Sequence, residues 1–548
     1  MKKQIAIAMA AFTLLGAMGG CQKAGKADTA DIDFTAPLTG EITVGSYDSM
    51  RYGAHMEAAA KKFMEKYPGT VVNISTFSSM PEMQVINSED GSMVTAMVVA
   101  TDNTSAEADY LQALNTSLMS GGGADVLAID VLPYYKYAEA GQLLDMSALM
   151  DADPAFSRDD YYANVFDAMR YNGGQYILPL DFTFNYLTYD KGLLSDPQKD
   201  ALAGKALLTY DDLLSIGAMD FTPREDLSVL SETKAALFQN LFAANLSSFI
   251  NLADKTCDFT SGAFETLLAD TVRYDEAGYL FPTPELMNGG NDAFITSGAV
   301  AAIRLGATGG STYFSSNMSL MLMNHFNTSE DGGEMAFTIG GANTDNHEIA
   351  GLLANNEGKA EVNYMQAFGI NANTKNARLA WEFIKFLLSE DEQLSIHIIG
   401  TPVHRAAAAE DVKQEITMLS RFSGFAGSVS MSGGGSVTIA GDFGADSGDT
   451  GTGGSAPGFS VGGPIRFDGG EDAPLVRAVL DEKQTDVFNR YMAQLNTFLA
   501  DLRTHTVEDT SLTAIVQTEA DRFFAGEISA NDAARNAQSK ISLILSEQ

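Results

Sequence analysis

Ile42 and Val44 alternate with polar neighbours over Glu41–Ser46, which predicts a strand. Met56, Ala59, Ala60, Phe63 and Tyr67 then recur at helical spacing, and Tyr67-Pro68-Gly69 ends the run. A second strand is expected over Val71–Thr76 and a third over Ala124–Asp130, after Gly121-Gly122-Gly123. Strand, helix and strand joined by short links form a βαβ unit, which implies a parallel pair. Further along, Gln175–Leu180 and Phe184–Tyr189 read as strands separated by a bend, and 209–280 reads as mostly helical. Ala299–Leu305 and Met335–Gly340 read as strands. Thr374–Leu388 predicts a helix with Ala377, Ala380, Trp381, Ile384 and Leu388 on one face. Ser389–Glu392 has capping-box spacing for another helix. The last helix starts at Ser529 and carries Ala533, Ala537, Ile541 and Ile544 as its buried stripe. Residues 423–463 break the pattern. They are dense in Gly and Ser and predict a long mobile insertion or loose loop.

The first residues follow a different logic. Lys2 and Lys3 precede an uncharged run, Ile5–Gly20, which ends at Gly19-Gly20-Cys21. A basic start, a short apolar core and a small-residue cleavage site define a secretory signal. The apolar run falls short of the roughly 20 residues that a membrane-spanning helix needs. Small residues directly before a Cys resemble the lipobox of bacterial lipoproteins. That resemblance implies cleavage of residues 1–20, lipidation of Cys21, and anchoring on the outer face of the cytoplasmic membrane, or on its periplasmic side where an outer membrane exists. Residues 21–38 read as a flexible tether.

Composition narrows the partners. The chain has 548 residues, 45% of them hydrophobic, enough for a large core in more than one lobe. The formal net charge of −37 excludes nucleic acid and anionic lipid as partners held by charge. The cysteines are Cys21 and Cys257, so a lipidated Cys21 leaves no intramolecular disulfide. The six histidines form no H-x-x-x-H pair. Asp442, Asp446 and Asp449 lack the alternating spacing of a calcium loop. No G-x-S-x-G in a strand-turn-helix context and no phosphate-binding loop is present. No cofactor or metal is expected. Trp381, the only Trp, reads as core, and Cys257 as a buried or idle thiol.

Five stretches, in order, resemble the extracellular solute-binding proteins of bacterial ABC importers, in the carbohydrate-type group that includes maltose-binding protein. They are Gly122–Val126, with Ala124 where the family has Pro; Ala138–Asp145; Arg170–Pro179 continued by Tyr186–Lys191, with Asp190 where the family has Asn; Ala293–Ala302; and Asn371–Leu388. The resemblance spans about residues 40–405 and the C-terminal helix, while 406–528 depart from the family's pattern. It implies an α/β fold of the type II periplasmic-binding kind, over 39–548, with two lobes joined by crossing strands around a ligand cleft. The expected division is 39–150 with 306–365 for the first lobe. The second is 151–305 with 366–548, including the 423–463 insertion.

Parallel α/β sheets place ligands beyond the carboxyl ends of their strands. Tyr47 and Asp48 follow the first strand, and Asp130 follows the third. Asp181, Phe182 and Phe184 fall at the family's hinge and cleft edge, and Thr308 follows Ala301–Leu305. Carboxylates accept hydrogen bonds from sugar hydroxyls, and aromatic faces cover the apolar face of a sugar ring. The same aspartates also suit helix caps and turns. The expected function is capture of a sugar or oligosaccharide for delivery to ABC permease subunits, by a monomer that is not an enzyme. The alternatives are a peptide or other polar solute on the same scaffold, and an exported carbohydrate-active enzyme, which would need a pair of catalytic carboxylates.

Overall fold

The computed structural model describes residues 32–78, 83–87, 93–97, 103–129, 132–190, 192–222, 227–230, 232–280, 311–318, 338–339, 342–343, 347–355, 357–395, 400–422, 427–432, 436–441, 459–462, 477–507 and 509–547. Cys21, the segment before it, Asp130, Thr308 and the strand expected at Ala299–Leu305 lie outside the described residues. The fold is mixed α/β and divides into two compact units. The first holds 1–156, 171–177 and 368–386, and the second holds 157–170, 178–367 and 387–548.

The first unit is built on the predicted βαβ. Strand Gly40–Asp48 leads into helix Ser49–Lys66 and returns as strand Thr70–Ser78, parallel to the first from Gly40↔Thr70 to Asp48↔Ser78. Helix Asn103–Met119 then feeds strand Val126–Ala128, which pairs in parallel with the other edge of Gly40–Asp48. Strand Ala367–Ile370 adds an antiparallel neighbour, with Ile370 opposite Val126. Ile42, Val44, Val126 and Leu127 are buried, as are Met56, Ala59, Ala60 and Phe63 on the first helix. Each of the larger side chains among these contributes roughly 1.5–3 kcal/mol on leaving water. The predicted stripe of helix Ala377–Leu387 is buried throughout, and Phe383 meets Phe63 edge-on at 5.2 Å.

The family-like Gly122–Val126 stretch has a physical role. Asp125 accepts from the Thr43 amide through Oδ2 at 2.8 Å and from the Thr374 hydroxyl through Oδ1 at 2.5 Å. Asn371 donates to the carbonyls of Gly122 and Ala124, both at 3.0 Å. One carboxylate and one amide thus staple the third strand to segments far away in sequence. Gly123 makes the tight entry possible at φ +95, a conformation that L side chains rarely adopt.

The second unit is organised around the long strand Asp181–Asp190, and a bend at Leu180 separates it from the short strand Leu178–Pro179, as the sequence predicts. It pairs antiparallel with Thr401–Pro402, Ala360–Asn363, Ser311–Met318 and His347–Leu353. Leu227–Leu230 runs parallel to Ser311–Met318. Ser311–Met318, His347–Leu353 and Ala360–Asn363, within the stretch expected in the first lobe, pair with Asp181–Asp190 and fall in the second unit, while 368–386 falls in the first. Helices Lys234–Ala244 and Ala263–Glu276 bury Phe238, Phe242 and Phe264 against Phe249 and Phe259. The final helix, Ala530–Glu547, buries Ala533, Ala537, Ile541 and Leu545 in the same core, with Ile544 packed at its margin.

Within the Gly/Ser-rich stretch the described residues are not a loose loop. Gly427–Ser432, Ser436–Gly441 and Phe459–Gly462 form a three-stranded antiparallel sheet. Its register sets Val429 opposite Ile439, Met431 opposite Val437, and Ile439 opposite Phe459. Apolar residues at every second position are a strand signal that glycine and serine content obscures.

Candidate functional site

In the first unit, three strands that run the same way end at one edge, and helix Asn103–Met119 runs back against them. Alternation puts Tyr47 and Phe77 on one face of neighbouring strands and Ser46 and Thr76 on the other. Tyr47 and Phe77 stack at 6.5 Å with 25° between their planes. Tyr110 from the helix completes the cluster, at 5.4 Å from Tyr47 and 5.3 Å from Phe77. Tyr47 and Tyr110 are buried, but Phe77 is 48% exposed. The cluster is thus a supported aromatic ring offered to solvent at the carboxyl edge of a parallel sheet. Behind it, the Ser46 and Thr76 hydroxyls lie 3.2 Å apart. One turn before Tyr110 stands Glu107, half-buried, whose carboxyl is pushed above its usual range by loss of solvent.

The sequence-predicted residues divide. Tyr47 joins this cluster, and Asp48 occupies the last paired position of its strand, opposite Ser78. Asp181, Phe182 and Phe184 lie in the second unit as interior groups, while Asp130 and Thr308 lie outside the described residues. Asp181 is fully buried and accepts backbone N–H groups from Met365 at 2.8 Å, Gln366 at 3.0 Å and Gly400 at 3.2 Å. Its charge orders two chain segments, which is the turn-and-cap role expected of such an aspartate and not that of a solvent-facing acceptor. Phe182 is buried edge-on to Tyr162 at 5.4 Å, and Phe184 packs on Phe498 at 5.8 Å. Alternation carries both into one aromatic row along the strand, so neither offers a face to a solute. Trp381 is core, as read, and donates from Nε1 to Asp153 at 2.8 Å. Cys257 is half-buried, beside Ser542 and Gln538.

Phe77, Tyr110 and Glu107 were missed. The signal for Phe77 was present, because a parallel pair in register sets residue 77 beside residue 47 once the βαβ is recognised. Tyr110 and Glu107 gave none, since the Asn103–Met119 helix has a weakly segregated pattern and no anticipated strand end marks it.

A cavity of about 230 Å³ lies elsewhere in the first unit, between 37–39 and 374–379. Residues 37–39 lead into the start of Gly40–Asp48, so the cavity sits at the amino edge, away from the aromatic cluster. Among the described residues no group of three or more His, Cys, Asp or Glu could hold a metal ion. Nor, among them, is any helix long and apolar enough to cross a membrane.

Residues 47–394 match the model of the bacterial extracellular solute-binding protein family, and the chain belongs to that family. No curated protein matches it. Among solved structures, it is similar to an extracellular solute-binding protein family 1 from Alicyclobacillus acidocaldarius, at 12% identity and TM-score 0.48 over 93% of this chain and 99% of that one. A putative oligosaccharide periplasmic-binding protein from Synechococcus sp. MITs9220 gives 15% and 0.49 over 92% and 99%. An ABC substrate-binding protein from Listeria monocytogenes in complex with cycloalternan gives 15% and 0.47 over 93% and 100%.

Proposed function

We propose that the protein captures a sugar or oligosaccharide outside the membrane and delivers it to the permease subunits of an ABC importer. The observation that carries this reading is the half-exposed Phe77, backed by Tyr47 and Tyr110, at the carboxyl edge of the first unit's parallel strands. An aromatic face covers the C–H face of a sugar ring, and rigid support spares the entropy of ordering that face on binding. Asp48, Asp130 and Thr308 remain candidate hydroxyl partners by their place in the chain. The protein acts as a binder without turnover, anchored through a lipid on Cys21 and working as a monomer.

A thermal-shift screen against mono- and oligosaccharides, amino acids and short peptides tests the reading. A ligand that binds only the folded state at 100 times its Kd adds about 2.7 kcal/mol of stability. The expected outcome is a shift with saccharides, cut to about half in Phe77→Ala at the same ligand concentration, and no product after prolonged incubation with the same glycan. A shift with peptides alone transfers the site to the other solute class. Released product would make the protein an enzyme.

A further inference from the structure

Glu107 stands one helical turn before Tyr110 of the platform, and nothing so far explains why it is there. Met119 passes through Gly121–Gly123 into Val126–Ala128, which runs parallel to Gly40–Asp48. The Asn103–Met119 helix therefore opposes the strands, and its first turns lie at their carboxyl edge. Glu107 and Tyr110 are three residues apart and share a helical face. Helical side chains lean toward the helix start, which places Glu107 one turn beyond Tyr110 toward the carboxyl edge of the strands, where Phe77 is exposed. It makes no hydrogen bond or ion pair among the described residues. The helix starts at Asn103, four residues earlier, and the attraction of a helix start for negative charge fades within its first turn. Neither helix polarity nor any pairing among the described residues accounts for an acid at this point.

A part-desolvated carboxylate with no counter-ion accepts hydrogen bonds from hydroxyl or ammonium groups and repels a second anion. We propose that Glu107 is a specificity-determining residue of the site, admitting neutral and amino sugars and rejecting acidic ones. This inference rests on the saccharide reading above and adds the charge class of the ligand.

The test uses the full chain and Glu107→Gln, which keeps shape and removes charge. Maltotriose, cellotriose and galactotriose are the neutral probes, and trigalacturonate is the acidic one. Calorimetry gives the ratio of acidic to neutral Kd in each protein. The expected result is a large ratio in the wild type that falls by about tenfold or more in the variant, since like charges brought together cost several kcal/mol. Melting of the free protein at pH 7 should stay level or rise, because an unpaired, desolvated charge has been removed. An unchanged ratio with neutral binding intact overturns this inference alone. A clear drop in free-protein melting makes Glu107 a structural group and overturns it as well. If the wild type binds none of the probes, the saccharide reading fails and the inference falls with it.

Discussion

Single buried carboxylates do much of the ordering. Asp181 holds three backbone amides in the interior of the second unit. Asp181→Ala leaves them without an acceptor, and roughly 2–4 kcal/mol of stability should disappear. The denaturant midpoint of the free protein reads that loss, and an unchanged midpoint would overturn the role. Glu519 is the counterpart between the last two helices. Its carboxylate is fully buried and receives Lys540 at 2.5 Å, Arg522 at 2.9 Å and Asn536 at 2.9 Å. Burial works to raise its pKa, but hydrogen bonds from Lys540 and Asn536 and the two positive charges outweigh it, so the carboxyl titrates below its usual value. A carboxyl lowered in the folded state contributes stability that is complete above its unfolded pKa and is lost as pH falls through the folded one. Glu519→Gln should therefore melt well below the wild type at pH 7, and the gap should narrow from about pH 4.5 downward. A gap independent of pH would assign the effect to packing.

Elements whose burial pattern is local were legible from sequence. The βαβ start, the Ala377–Leu387 helix and the final helix all carry periodic apolar positions that need only one buried face. What could not be read was pairing between distant segments. Whether the strands within 306–365 join one unit or the other depends on their register with Asp181–Asp190, 120 or more residues away, and no short-range pattern encodes it. The site was half legible for the same reason. Tyr47 follows from being at a strand end, while Phe77 needs the neighbouring strand's register and Tyr110 needs the helix that crosses both. At this scale the platform makes a sharp prediction. Phe77→Ala should weaken binding of the saccharide found in the screen by about tenfold, the worth of an aromatic contact of roughly 1–2 kcal/mol. Melting of the free protein should change little, because the ring is 48% exposed. Equal affinity in the variant would remove the platform from the site.

For the whole molecule, the proposed lipid on Cys21 carries a prediction about location. Cys21→Ser in the producing cell should move the protein from the membrane fraction to the soluble or medium fraction, and unchanged sedimentation with membranes would remove the anchor. A second consequence comes from the path of the chain, which passes between its two units at five places. The first unit's sheet is incomplete without Ala367–Ile370, and the Asp125 staple closes only when Thr374 arrives, 249 residues later. Closing so long a loop is slow and gains nothing until both ends are present. During synthesis, the first 150 residues therefore emerge as a sheet that still lacks the strands Ala367–Ile370 and Leu178–Pro179. The first unit's sheet can be completed only after about two-thirds of the polymer has been made, so the order of segments along the chain sets a late moment for its assembly.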